Sequence, residues 1–199
     1  MSKAILLSGG IDSTALAYWQ KPAIALTLNY GQAPALAEIQ ASGMIAKALG
    51  IIHYVIEVDC SSLGSGDLLN QEALDVSPSP EWWPYRNQLL ITLACMKGIA
   101  LGVTELMTAS VKSDGFHKDG TAEFYELINK LMTYQEGGIK VYSPCIEMTS
   151  VELVKKSAIP NSLLHWAHSC HTGNVPCGRC RGCNKYRQVM HELQTLKSA

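Results

Sequence analysis

Ala4-Ile5-Leu6-Leu7-Ser8-Gly9-Gly10-Ile11-Asp12-Ser13-Thr14 is the stretch that decides how this chain is read. Four apolar residues make a buried strand candidate. Gly9 and Gly10 then turn the backbone, and a helix candidate opens near Asp12. The N–H groups of such a turn point outward, and the positive end of the helix dipole adds to them, so the segment is an anion site suited to phosphate. Paired glycines let the backbone approach a ligand closely, and Ser8, Ser13 and Thr14 add hydroxyl donors. No Gly-Lys-Ser/Thr follows, which excludes a Walker A loop, and the dinucleotide GxGxxG pattern is absent. The plainer alternative is a tight turn capped by Asp12.

Working outward, strand candidates at 3–7, 23–29, 51–58, 105–109 and 140–142 alternate with helix candidates at 12–19, 33–49, 86–101, 120–133, 150–156 and 185–196. That alternation implies βαβ units and an α/β, Rossmann-like parallel sheet flanked by helices. The first strands are continuous apolar runs, as strands covered on both faces must be. Ligands of such sheets bind at the carboxyl ends of the strands, where the candidate motifs lie. A chain of 199 residues suits one main domain with an appended element: an ATP-binding domain over 1–158 and a cysteine-bearing element over 159–199. Residues 60–84 are rich in Ser, Gly and Pro and read as one long loop. Trp82 and Trp83 at its end suit stacking on a flat ring, core packing or an oligomer contact.

Composition sets the outer limits. The apolar fraction is 47% and the net charge −1, ordinary for a soluble protein and no bulk electrostatic reason to expect nucleic acid. The one basic cluster is Arg179, Arg181, Lys185 and Arg187. No apolar run has the length of a membrane span. Met1-Ser2-Lys3-Ala4 leads straight into the first strand, so no signal peptide is expected and the expected compartment is the cytoplasm.

Four of the seven cysteines, Cys170, Cys177, Cys180 and Cys183, stand as C-x6-C-x2-C-x2-C, while Cys60, Cys95 and Cys145 are isolated. In a reducing compartment a tight cluster reads as a metal site rather than a set of disulfides. Four thiolates suit tetrahedral Zn2+ in a closed, structural site, with Gly178 and Gly182 permitting the turns; an iron–sulfur cluster uses the same ligand count. His168 and His171 flank the cluster, either as substitutes for a cysteine or as neighbours. The site would pin the tail helix, 185–196, to the domain.

The order S-G-G-x-D-S-T resembles the pyrophosphate loop (PP-loop) of ATP pyrophosphatases. Together with Tyr30-Gly31-Gln32, Arg86-Asn87, Asp114, Pro144 and the late S-C-x6-C-G-x-C-x2-C, it resembles the QueC (ExsB-like) family of 7-cyano-7-deazaguanine synthases over nearly the whole chain. The resemblance implies the adenine nucleotide alpha hydrolase-like fold. It implies an ATP-dependent carbon–nitrogen ligase that adenylates the carboxylate of 7-carboxy-7-deazaguanine, admits ammonia, and dehydrates the amide to a nitrile with a second ATP. It implies Mg2+, Zn2+ and a homodimer. Carried across, Ser8, Gly9, Gly10, Asp12, Ser13 and Thr14 would bind ATP phosphates, with Asp12 near Mg2+. Tyr30, Gln32 and Asn87 would lie by nucleotide or substrate. Arg86, Lys112 and Asp114 would contact phosphate or the substrate carboxylate.

Three segments depart from the family pattern. Ser150 stands where a lysine is usual. Phe116-His117-Lys118-Asp119-Gly120 replaces a Tyr-Pro-Asp-Cys stretch, and Pro84-Tyr85-Arg86-Asn87 replaces Pro-Gly-Arg-Asn. Lys112, Lys155 and Lys156 are the candidates to supply the missing cation. Two alternatives to nitrile synthesis follow. One is a paralogue that passes the activated acid to another amine, such as a partner protein in bacterial defence. The other is a non-catalytic nucleotide- or nucleic-acid-binding module that uses the late basic cluster.

Overall fold

The computed structural model describes residues 2–195. Its element order is β1 (Ser2–Leu6), α1 (Ile11–Gln20), β2 (Ile24–Asn29), α2 (Ala35–Leu49), β3 (Ile52–Glu57), α3 (Arg86–Ala100), β4 (Val103–Met107), α4 (Ala122–Tyr134), β5 (Lys140–Tyr142), α5 (Ser150–Ser157), α6 (Asn161–Leu164) and α7 (Arg181–Thr195). The five strands form one parallel sheet in the order β3-β2-β1-β4-β5. The chain thus adds β2 and β3 on one side of β1, then returns to add β4 and β5 on the other.

Period-two alternation along β1 divides its side chains between two cores. Ile5, with Leu7 just beyond the strand, packs with Leu16 of α1, Ile45 of α2, Leu153 of α5 and Val189 of α7. Ala4 and Leu6 face the other core, with Leu26, Ile91 and Ala94 of α3, and Ile128 of α4. Burial on both faces is why the strands read as unbroken apolar runs. Ile159, Leu164, Val189 and Met190 share the first core with Ile5 and Leu16, so residues on both sides of position 158 pack together.

The expected elements form, with three differences. The short α6 follows Pro160 and is too brief to show a helical period. The tail helix begins at Arg181 rather than 185 and so includes Cys183; its expected last residue, Leu196, lies outside the described residues. Gly10, not Asp12, is the N-cap of α1. Residues 60–84 form a loop with two short 3-10 turns. Trp83 is 2% exposed and meets Tyr30 edge-on at 4.9 Å. This ring therefore anchors the loop in the core.

Candidate active site

A cavity of about 310 Å3 opens at the carboxyl ends of β1 and β4. These are the neighbouring strands between which the chain reverses its direction of build-up, where open α/β sheets hold ligands. Its floor is Leu6, Ser8, Thr108, Ala109 and Ser110, and the first turn of α1 supplies Gly10, Ile11, Asp12 and Ser13.

The turn after β1 is tied internally. Ser8 Oγ and Ser13 Oγ lie 3.1 Å apart, while the hydroxyls of Ser13 and Thr14 donate to the Gly10 carbonyl at 3.1 and 2.8 Å. Gly9 has φ +76°, and a Cβ there would lie 2.8 Å from Ala41 Cβ and 3.0 Å from the Glu38 carbonyl oxygen. Only glycine fits both the left-handed conformation and the approach to α2. Ser8, Gly10, Asp12 and Ser13 line the cavity; Gly9 and the fully buried Thr14 shape the turn from behind it.

The motif after β2 acts at one remove. Gln32 Oε1 accepts from the Tyr30 N–H at 2.8 Å, and Gln32 Nε2 donates to Glu38 Oε2 at 2.8 Å. Glu38 and Arg86 line the cavity; Tyr30 and Gln32 stand behind them. Burial pushes the Glu38 carboxyl up to about 7, against the Gln32 hydrogen bond and the Arg86 charge. Burial also raises the Tyr30 phenol, although Arg86 works to lower it. Glu38 does leave a sequence signal: it is a lone acid on a helical face otherwise made of Ala35, Ala37, Ala41 and Ser42.

The loop after β4 turns Asp114 inward. Its Oδ2 accepts from the Val111 N–H at 3.1 Å. Lys112 is exposed, does not line the cavity, and acts instead on the Glu152 carboxylate. The departing segment 116–120 places His117 and Asp119 on the cavity wall. Asn87, which also lines the cavity, donates from its backbone N–H to Asp119 Oδ2 at 3.2 Å and from Nδ2 to the Asp119 carbonyl at 2.8 Å. Tyr85, in the place of the usual glycine, has φ 54° and is 79% exposed.

The last part of the chain closes the cavity. His168, Ser169, His171, Arg181, Gly182 and Lys185 all line it. The His168 N–H donates to the Gly9 carbonyl at 2.9 Å, and the Ile11 N–H donates to Ser169 Oγ at 3.4 Å. Arg181 Nη1 bonds Glu81 Oε1 at 2.6 Å, with His117 3.3 Å away. Burial alone would raise the Glu81 carboxyl, but the Arg181 hydrogen bond and charge hold it at about 2. Lys185 Nζ lies 2.8 Å from Asp12 Oδ2 and 3.1 Å from Asp114 Oδ1. Burial opposes its charge, and the two carboxylates more than offset that, so its pKa is raised. Burial likewise raises the Asp12 carboxyl despite Lys185. Two members of the late basic cluster therefore face inward, paired with acids. Sequence patterning gives no sign of this, since their partners lie 71 to 173 positions away.

Cys170, Cys177, Cys180 and Cys183 bring their sulfurs within 4.8 Å of one another, two pairs at 4.0 Å. A tetrahedral ion with sulfur bonds of about 2.3 Å spaces its ligands by about 3.8 Å, so the cluster fits one zinc-sized ion. Hydrogen bonds from the Thr172 hydroxyl and the Arg179 and Cys180 N–H groups hold the Cys177 thiol at about 5, whereas burial and neighbouring sulfurs push Cys183 up to about 12. A cation held there would remove that conflict by keeping all four as thiolates. A side chain at Gly182 would collide with the Ser169 carbonyl and the His171 ring, so the sulfur loop and the cavity wall are packed as one piece. His168 and His171 belong to that wall rather than to the ligand set.

This strand–turn–helix anion site at the switch point of a five-stranded parallel sheet defines a nucleotide-binding α/β protein of the PP-loop class. The profile of the family described as Queuosine biosynthesis protein QueC matches residues 3–194, and the chain belongs to that family. It is 31% identical to the 7-cyano-7-deazaguanine synthase of Desulforudis audaxviator, over 95% of this chain and 96% of the relative. It is 29% identical to that of Methanocaldococcus jannaschii, over 95% and 94%. The chain is an enzyme of this synthase type. Among solved structures, the U34-tRNA thiolase NcsA from Methanococcus maripaludis with its [4Fe-4S] cluster aligns with TM-score 0.54 at 16% identity, covering 98% of this chain and 65% of that one. NMN synthetase from Francisella tularensis aligns with TM-score 0.50 at 18% identity, covering 98% and 77%. These two share the fold. Among the described residues, no helix is long and apolar enough to cross a membrane.

Proposed function

We propose that this enzyme activates the carboxylate of 7-carboxy-7-deazaguanine with ATP and converts it with ammonia to 7-cyano-7-deazaguanine. The observation that carries the reading is the Ser8–Ser13 turn, which lines a cavity walled by acids and cations at the switch point of a QueC-family fold. A carboxylate oxygen attacks the α-phosphorus of ATP and pyrophosphate leaves. Ammonia then displaces AMP from the acyl adenylate to give an amide. A second ATP adenylates the amide oxygen, and loss of AMP and a proton leaves the nitrile. Ser8, Gly10 and Ser13 receive the phosphates through backbone and hydroxyl donors, and Arg86 and Asn87 meet the substrate acid or the α-phosphate. Lys112 takes no part, because it is exposed and does not line the cavity.

Asp12 and Asp114 offer carboxylate oxygens of the kind Mg2+ takes, and Asp12 Oδ1 is buried without a hydrogen-bond partner. When bound, Mg2+ neutralises the charge of the leaving pyrophosphate. The cysteine cluster holds structural zinc in this reading; a colourless protein with one zinc per chain supports it, and visible absorption with bound iron overturns it. The protein works in the cytoplasm as a homodimer, which sedimentation velocity tests.

A second reading keeps the activation step and changes the acceptor to another amine, such as a partner protein. It is favoured by the wall segment at 116–120, which brings His117 and Asp119 to the cavity but no cysteine. Incubation with the acid, ammonium, Mg2+ and ATP separates the two. Nitrile and AMP support the first; AMP without nitrile, with added mass on a co-encoded protein, supports the second. No ATP cleavage sinks both.

A further inference from the structure

Lys185 is the single lysine among the residues lining the cavity, and it sits at the phosphate end. Its Nζ bridges Asp12 of α1 and Asp114 of the loop after β4, at 2.8 and 3.1 Å. Arg181, a second cation, is committed to Glu81 at 2.6 Å, and Arg86 lies toward Tyr30 and Glu38. Beside Asp12 stands Ser150, the first residue of α5. Its buried hydroxyl lies beside the buried Oδ1 of Asp12 and works, as Lys185 does, to lower that carboxyl. The α5 position beside Asp12 thus offers a hydroxyl and no charge, while α7, which packs against α5, brings the same carboxylate an ammonium.

We propose that Lys185 is the phosphate-binding cation of this enzyme, performing from α7 the task a lysine at position 150 would perform from α5. The inference deepens the proposed function and rests on that reading of the cavity as an ATP site. A triphosphate placed against Asp12 and Asp114 alone would bring like charges together. An ammonium on a four-carbon stem, already held between those acids, turns to the incoming phosphate while staying near both. The acids keep it at the site before the ligand arrives, and the same two carboxylates would hold a divalent ion brought with the nucleotide. The placement also joins two parts of the molecule. Lys185 follows Cys183 by two residues on α7, so the register of the sulfur site sets where the ammonium stands.

The experiment is isothermal titration of the intact protein with Mg-ATP, with pyrophosphate and with AMP, on wild type, Lys185→Met, and Lys185→Met combined with Ser150→Lys. Methionine keeps most of the stem and removes the charge. The single variant should bind pyrophosphate and Mg-ATP at least tenfold more weakly, with AMP within about twofold. The double variant should return pyrophosphate binding to within about threefold of wild type, a rescue that a merely structural role for Lys185 does not produce. Pyrophosphate binding within twofold of wild type in the single variant overturns the proposal, and so does a loss that Ser150→Lys fails to restore. Should the single variant not fold, the double variant decides by the same threefold limit. The titrations contain no deazaguanine, so failure of the proposed acid as substrate leaves this outcome unaffected.

Discussion

Two regions build the cavity, and they are held in opposite ways. The turn at residues 8–14 is secured locally: a buried strand leads in, a helix leads out, and its hydroxyls bond carbonyls within five residues. The wall at residues 168–185 has little regular structure before Arg181. It is secured by four sulfurs and by ion pairs to Glu81, Asp12 and Asp114. The first is a conformation that its own sequence prefers. The second is a conformation that distant partners impose and that an ion held by the four sulfurs would fix. The two regions also brace each other: the Gly9 carbonyl and the Ile11 N–H bond His168 and Ser169, and Lys185 of the wall pairs with Asp12 of the turn.

That asymmetry can be broken from either side. Cys180→Ser removes a buried ligand and frees α7, and should cost at least about 3 kcal/mol of stability. Thermal melting with metal analysis would show lost metal, and ATP binding should vanish with it; retention of both would show that the wall stands without its ion.

In wild type, Glu38 introduces a pH dependence between the regions. Its folded pKa of about 7 lies above the ordinary carboxylate value of 4.5. The folded protein therefore holds the extra proton between these values. The contribution of Glu38 to stability is greatest below pH 4.5, falls as pH rises to about 7, and is flat beyond, a span of about 3 kcal/mol. Glu38→Gln should flatten this slope in melts from pH 5 to 8 and be the more stable protein at pH 8.

Gly9→Ala attacks the local region alone. Left-handed strain and the contacts with α2 should cost about 2 kcal/mol and displace the turn, reducing ATP-dependent product formation about a hundredfold. The protein should keep its full metal content, the contrast with Cys180→Ser that the comparison demands.

The smallest effect lies at the edge of the cavity. Tyr85 holds a left-handed φ of 54° with its ring in solvent. Tyr85→Gly should stabilise by about 1 kcal/mol, raising the melting temperature by about 2–4 °C. An unchanged or lower melting temperature would mean that the ring makes a compensating contact.

The same contrast explains what was legible beforehand. Unbroken apolar strands and a Gly-Gly turn are local signals, so all five strands and the anion turn were readable. So was the cysteine set, because its spacing is itself the ligand geometry. Lys185 and His117 are not, because their partners lie 36 to 173 positions away and Lys185 reads as part of a surface basic cluster. Tyr30, Gln32 and Lys112 were legible as site neighbours but not as to direction: two stand behind Glu38 and Arg86, and the third turns outward.

The hydrogen bond from His168 to Gly9 spans nearly the length of the chain. On the ribosome, residues 8–14 leave the exit tunnel long before residue 168 is made, so the turn at first lacks this support. A product truncated before residue 168 would therefore carry the motif without the hydrogen bond that steadies Gly9.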